Sequence, residues 1–466
     1  MFETNKQGMI LTIATVASFF VPYLTSSITV ALPAIGSEFS LDAVSLGWVV
    51  SSYILSTAIC IVPFGRIADI YGRKRLFMTG VALMTGASLL ATFAWSAPSL
   101  IGFRILQGAG GALIFTTSVA IITAVYPPER RGWALGITLA SVYAGLSLGP
   151  FIGGVLTEHV GWRSIFFLVV PLGILVLWLT SRNVPDEWIE APGAPFDYTG
   201  SILYATSLFG VMYGLTVVPG SEAVIWIAFG GATLAGFLWW ETRSRSPVLD
   251  IRVFRKNIVF TFSNLAALIN YAATYAVAFL LSLYLQYTKG LSPETAGLIL
   301  VAQPAVQTIF SPSAGRLSDR IEPRVVASIG MILTAVGLLL LALLTTETPL
   351  WSIVAVLLML GLGYALFSSP NTNAIMSSVE PRYYGIASSM VATMRAIGQL
   401  TSMAIVMMIF SLVIGKVQVT PEVYPLFLTS TRLAFLILGI LCVIGVFASI
   451  ARGKIRESNL RERKGT

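Results

Sequence analysis

The chain has 466 residues, of which 56% are hydrophobic and only 11% charged, and its formal net charge is +8. A soluble domain wets its surface with about 25% charged residues, so a soluble enzyme or regulator is excluded. Two cysteines, Cys60 and Cys442, lie in apolar runs and read as packed thiols, not as a disulfide framework or metal site.

Apolar runs of about 20 residues, each long enough to cross a ~30 Å hydrocarbon core, recur along the chain. Six spans are predicted near 8–33, 45–68, 76–95, 98–125, 134–158 and 163–181. Two more follow near 198–217 and 223–241, and six near 258–287, 293–315, 325–346, 351–375, 386–414 and 430–452. The first begins at Gly8, with no cleavable signal pattern ahead of it. In span 1, Pro22 loosens the helix, and Phe19, Tyr23, Ser26 and Ser27 form a polar and aromatic face. Span 4 carries Arg104 with Gln107, Gly108, Gly111 and Phe115. Span 5 sets Gly145, Gly149 and Gly153 in a four-residue stripe around Pro150, a pattern that lets another helix approach closely.

Two stretches occur twice. Gly65-Arg66-Ile67-Ala68-Asp69-Ile70-Tyr71-Gly72-Arg73 returns as Gly315-Arg316-Leu317-Ser318-Asp319-Arg320, and Pro128-Glu129-Arg130-Arg131-Gly132 is echoed by Glu380-Pro381-Arg382-Tyr383-Tyr384-Gly385. The middle pair of spans has no counterpart. The duplication divides the chain into a six-helix bundle over 1–182, a linker with two extra spans over 183–256, a second six-helix bundle over 257–452 and a basic tail over 453–466. About 23 of the 29 Lys and Arg fall on the side of the termini, against four on the other side (Arg163, Lys289, Lys416 and Arg432), with Arg104 and Arg395 inside spans. The positive-inside rule therefore predicts cytoplasmic termini, and the basic excess is a topology signal, not a nucleic-acid footprint.

In the second half, Asn264, Tyr271 and Tyr275 share one helical stripe, Gln303 and Gln307 flank Pro304, and Asn371 and Arg395 lie inside later spans. Burying so many amides and phenols against lipid is costly, so these residues are expected to face a hydrated cavity. One His at a span end and no acidic residue at mid-membrane leave no set able to run intramembrane catalysis. No Gly-x4-Gly-Lys-Ser/Thr loop is present either, so neither an enzyme nor a nucleotide-driven pump is expected.

These motifs resemble the major facilitator superfamily along essentially the whole chain. Gly65 to Arg75 resembles its signature loop, Leu100 to Gly111 its span-4 motif, and Gly145 to Gly154 its antiporter motif. The fourteen spans, Trp162-Arg163 and Tyr284-Leu285-Gln286 followed by Gly290-Leu291-Ser292-Pro293 are similar to the drug:proton antiporter branch. The resemblance implies an all-α polytopic fold of two six-helix bundles plus two extra helices. It also implies alternating-access export of amphipathic small molecules across the cell membrane by a monomer, with no cofactor and the proton gradient as energy source. In it, Gly65, Asp69, Gly72 and Arg73 form a conformational latch, with Asp69 facing the start of span 11 near Gly385. Spans 1, 4, 7 and 10 line the path.

The chain departs from that branch at one telling place. The span-1 acid expected ahead of Ala31-Leu32-Pro33 is Leu24, and the Asn expected after Trp162-Arg163 is Val169. A proton-coupled carrier needs a group that alternates protonation. The coupling candidates are then Glu158 and His159, Glu38 and Asp42, with Arg104 serving the cycle. The alternative is a facilitator or symporter of a neutral or anionic solute that uses Arg104 or Arg395.

Overall fold

Proline and glycine decide where the long apolar runs bend and how closely they pack. The computed structural model describes residues 2–184, 186–244, 246–249, 257–380, 384–415 and 417–453. The basic cluster Arg252, Arg255 and Lys256, part of the duplicated Glu380–Gly385 stretch, and the tail beyond Gly453 lie outside the described residues.

Fourteen helical segments of membrane-crossing length lie among the described residues. The first bundle comprises α1 (Phe2–Phe39), α2 (Ala43–Tyr71), α3 (Arg73–Thr92), α4 (Ala97–Val125), α5 (Pro128–His159) and α6 (Ser164–Asn183). The extra pair is α7 (Tyr198–Thr216) and α8 (Ser221–Glu241). The second bundle comprises α9 (Ile258–Thr288), α10 (Pro293–Leu300 continued by Ala302–Arg320), α11 (Pro323–Leu341), α12 (Leu350–Ser377), α13 (Tyr384–Val413) and α14 (Tyr424–Ala451). Twelve of these are long and apolar enough as they stand to cross a membrane; α7 and the interrupted α10 complete the set. An even number returns both chain ends to one face, called here the terminal face; the other is the far face.

The interruptions have local causes. Pro304 cannot donate to the Leu300 carbonyl and its ring crowds it, so α10 breaks at Val301. In α9 the helix breaks at Tyr275, and the amide of Ala276 is held instead by Ser402 Oγ of α13 at 3.1 Å. The ends are capped as the sequence demands: Asp42 Oδ1 accepts from the amide of Ser45 at 2.7 Å, and Ser96 and Ser99 form a capping box on α4.

Within the first bundle, α1 and α5 cross with almost no side chain between them. A Cβ on Gly145 would meet Pro22 Cγ at 2.8 Å, one on Gly149 would meet Ser26 Oγ at 1.9 Å, and one on Gly153 would meet Ser27 Cα at 2.8 Å. The stripe of glycines is therefore the seat of α1. The extra helices form a hairpin whose crossing runs through Gly210 against Gly230. Its inner member, α7, rests on both bundles: Tyr204 donates to the Ala58 carbonyl of α2 at 3.1 Å, and an apolar cavity of about 180 Å³ lies between α7 and α13.

Candidate functional site

The two bundles meet along a seam whose backbone-linked contacts, among the described residues, gather toward the far face, with Ser147 3.4 Å from Thr308 and Tyr143 beside Ser311 and Ser368 deeper in the bundle. Pro33 has no amide to offer the Thr29 carbonyl four residues back. That carbonyl accepts instead from Ser282 Oγ of α9 at 2.7 Å, and Gln286 Nε2 donates to the neighbouring Val30 carbonyl at 3.0 Å. On the other side, α5 and α10 touch backbone to backbone. A Cβ on Gly297 would lie 2.2 Å from the Pro150 carbonyl oxygen, and one on Gly154 would lie 2.5 Å from that of Pro293. Above this crossing, Glu158 Oε2 accepts from the amide of Glu294 at 3.1 Å, and His159 Nε2 stands 3.0 Å from Glu294 Oε2. Three protonatable side chains from two bundles thus close the rim. Between α2 and α13, Ser51 Oγ reaches Met407 Sδ at 3.3 Å, and Asp42 and Gln418 form an antiparallel bridge.

Two arginines sit near mid-membrane in different surroundings. Arg104 is 0% exposed and is bound up within its own bundle. Its Nε donates to the Val49 carbonyl at 3.2 Å and its Nη1 to Gln107 Oε1 at 2.9 Å, and Gln107 in turn donates to Ser88. The guanidinium lies 4.5 Å from the centre of the Tyr53 ring, which Gly108 and Gly111 seat by leaving room for it. Arg395 is only half-buried and stands on the seam. It lies 5.1 Å from the Tyr271 ring centre, with the hydroxyls of Tyr143 and Tyr364 in electrostatic reach and its Nε without a partner. Tyr143 belongs to the opposite bundle and lies within hydrogen-bonding reach of Ser311 and Ser368 of the second.

At the terminal face the signature loop is held by the linker. Asp69 Oδ1 accepts from Arg73 Nη2 at 3.0 Å and from its Nε at 3.2 Å; Arg73 also pairs with Glu190. The Asp69 carbonyl accepts from the amides of Glu190 and Ala191 at 3.1 and 3.0 Å. Gly72 adopts φ +114°, a conformation open to glycine, and a Cβ there would strike Glu187 Oε1 at 2.5 Å. That carboxylate accepts from the Lys74 amide at 2.9 Å, so an acid from the linker neutralises the positive N-terminal end of α3.

A profile described as the Major Facilitator Superfamily matches residues 14–262 and again 263–465. The chain belongs to the major facilitator superfamily. It is 31% identical over 394 residues to the riboflavin transporter RibZ of Clostridioides difficile, covering 84% of this chain and 85% of that protein. It is 32% identical over 412 residues to the multidrug resistance protein Stp of Mycobacterium tuberculosis, covering 86% and 75%. Its fold matches the inward-facing, unoccupied crystal structure of a bacterial homologue of the human lysosomal transporter Spinster, with TM-score 0.69, 18% identity and 97% coverage of both chains. The protein is a multi-pass membrane transporter working by alternating access.

Against the superfamily pattern, the predicted residues fall into three groups. Gly145, Gly149, Pro150 and Gly153 shape the α1–α5 and α5–α10 crossings. Tyr271 lies beside Arg395, and Tyr275 within electrostatic reach of Arg104 from the other bundle; Phe115, Gln303 and the more deeply buried Gln307 are on the helices around them. Other residues expected on the cavity wall are taken up in helix contacts. Ser27 and Tyr23 are 0% and 1% exposed, with Ser27 Oγ donating to the Gly149 carbonyl at 2.9 Å and Tyr23 stacked on Phe19. Ser26 donates to the Gly145 carbonyl at 3.1 Å. Asn264 Nδ2 bonds within α9, and Asn371 joins the Ser263 carbonyl to Arg452 at 3.1 and 2.8 Å.

The charged candidates have distinct surroundings. Asp69 is held by Arg73, while Glu187 and Glu190 bring the linker onto the loop; the side chains near Gly385 at the start of α13 lie outside the described residues. Gly65, at the head of the same loop, faces its own bundle: a Cβ there would lie 3.9 Å from Thr116 Cγ2 of α4. Of the coupling candidates, Glu38 is clamped bidentately by Arg163 at 2.6 and 2.7 Å and by Trp162 at 2.7 Å, and Asp42 is a helix cap. The sequence reading missed Glu187, Glu190, Glu294 and Tyr143. The two linker acids follow a span end directly, which was the available signal; Tyr143 gave none beyond a lone phenol two residues before the glycine stripe.

Proposed function

We propose that this protein exports amphipathic small molecules from the cytoplasm, driven by the proton gradient, as a monomer with both termini in the cytoplasm. The observation that carries the reading is the asymmetry of the seam. The direct contacts between the bundles among the described residues are concentrated toward the far face, with Ser147–Thr308 and Tyr143 beside Ser311 and Ser368 deeper in, which supports an inward-facing state with the terminal side as the opening. Export from that side fits the multidrug resistance protein among the relatives. Small-molecule cargo fits both named relatives.

Proton coupling is assigned to the far rim. With Leu24 fully buried where the branch carries an acid, and Glu38 and Asp42 engaged in structural bonds, Glu158, His159 and Glu294 are the protonatable groups that join the two bundles. Opening the far side separates these partners, so this rim is remade in every cycle. Purified protein in proteoliposomes with an imposed pH gradient, challenged with lipophilic cations, neutral drugs and organic anions, tests this. Cargo-driven proton movement is expected, and Glu294→Gln is expected to lose most of it while keeping downhill flux. Cargo transport without proton movement in the unaltered protein would make it a facilitator.

A further inference from the structure

We infer that Arg395, with Tyr143, Tyr271 and Tyr364, is the subsite that recognises an acidic group on the cargo, so that aromatic organic anions are a preferred substrate class. The inference rests on the transporter reading and names the chemistry of its central site.

A guanidinium at mid-membrane is costly unless it is paired. Arg104 offsets part of that cost inside one bundle through the Val49 carbonyl, Gln107 and the Tyr53 ring, and although its Nη2 also lacks a partner it is fully buried and out of reach of cargo, whereas Arg395 is partly exposed. Arg395 has no ion pair among the described residues, and its Nε finds no partner. Its neighbours are the phenol hydroxyls of Tyr271, which hydrogen-bonds it, Tyr143 and Tyr364, with no carboxylate among them. The place left for a counter-charge is therefore a cargo group.

The geometry suits a planar acid. The fork of an arginine binds a carboxylate bidentately, and phenol hydroxyls donate to the same oxygens. Tyr271 and Tyr364 meet edge to face at 5.8 Å and 72°, giving an aromatic wall for a flat ring system. Tyr143 comes from the first bundle, whereas Arg395, Tyr271 and Tyr364 come from the second. An anion seated between them touches both halves, so its binding is sensitive to the rocking of one against the other. Tyr275 mirrors this arrangement, reaching from the second bundle toward Arg104.

The test compares naphthalene-2-carboxylate with naphthalene-2-carboxamide by calorimetric titration of the full-length protein in detergent. The two probes share shape and differ in charge. The carboxylate is expected to bind at least about tenfold more tightly, the factor a single charge-assisted hydrogen-bonded pair supplies. Arg395→Gln should erase the preference by weakening carboxylate binding far more than carboxamide binding, Arg395→Lys should keep part of it, and Tyr143→Phe should weaken carboxylate binding several-fold. Equal affinities, no carboxylate binding, or a preference that survives Arg395→Gln would overturn the assignment. The wild-type comparison stands even if a variant misfolds. An active exporter without the preference would sink the anion subsite alone; the preference without gradient-driven flux would sink proton-driven export alone.

Discussion

At the scale of single residues, the two mid-membrane arginines separate structure from function. Replacing Arg104 by Ala strips the Val49 carbonyl and the Gln107 amide of their donor and leaves a void against Tyr53, at a cost of about 3 kcal/mol. Thermal unfolding of the purified protein in detergent should show a clear fall for Arg104→Ala and almost none for Arg395→Gln. A normal unfolding temperature for Arg104→Ala, with transport lost, would put Arg104 in the path instead. Both arginines were legible in the sequence as deep charges, and Gln107 at i+3 was visible as a partner. What the sequence withheld was the surroundings. Whether a buried cation is satisfied depends on a carbonyl 55 positions away in one case and on a phenol from the other bundle in the second. The same limit explains Asn371: an amide inside an apolar run reads as cavity wall, yet its partners, Ser263 and Arg452, come from two other helices.

At the scale of helices, the glycine and proline pattern was the most readable feature, because it acts through the backbone and needs no knowledge of side-chain partners. The stripe Gly145, Gly149 and Gly153 announced a close crossing, and α1 fills it. The pattern did not reveal that Gly154 and Pro150, one face around, serve a second crossing against α10. That difference yields a prediction. Gly149→Ala adds its Cβ against Ser26 within one bundle, so it should cost about 2 kcal/mol of stability without changing the balance of conformations. Gly297→Ala adds its Cβ against the Pro150 carbonyl of the other bundle, so it should disfavour the closed far face. Spin labels at exposed Val160 and Trp351, on the far face in opposite bundles, report the outcome. Gly297→Ala should shift their separation to longer distances and Gly149→Ala should not; the reverse pattern would mean that the α5–α10 contact is no part of the gate.

For the whole molecule, the duplicated bundles were legible from repeated loops, and the basic residues gave a predicted orientation; the place of the extra pair was not, because its apolar sequence fits any lipid-facing position. In the structure α7 straddles the α2–α13 side of the seam, which must change shape in every cycle of alternating access. Its ties to the two bundles differ in kind. Tyr204 fixes it to α2 through a buried hydrogen bond, whereas Leu208, Val211, Met212 and Leu215 face Ile397, Leu400 and Ala404 of α13 across an apolar cavity. Only Ser411, bonded to the Val218 carbonyl, ties the α7–α8 turn to α13 at the far rim among the described hydrogen bonds. Apolar surfaces slide at low cost because no directional bond must break. The pair should therefore travel with the first bundle while α13 moves past it. With Cys60 and Cys442 replaced by Ser, a short thiol cross-linker joining Tyr204→Cys to Ala58→Cys should leave transport near its uncross-linked rate. The same reagent joining Leu208→Cys to Leu400→Cys should arrest transport until the link is cleaved. If both links arrest transport, α7 moves against both bundles and is part of the gate; if neither does, this side of the seam is a fixed hinge and the movement is confined to α5 and α10.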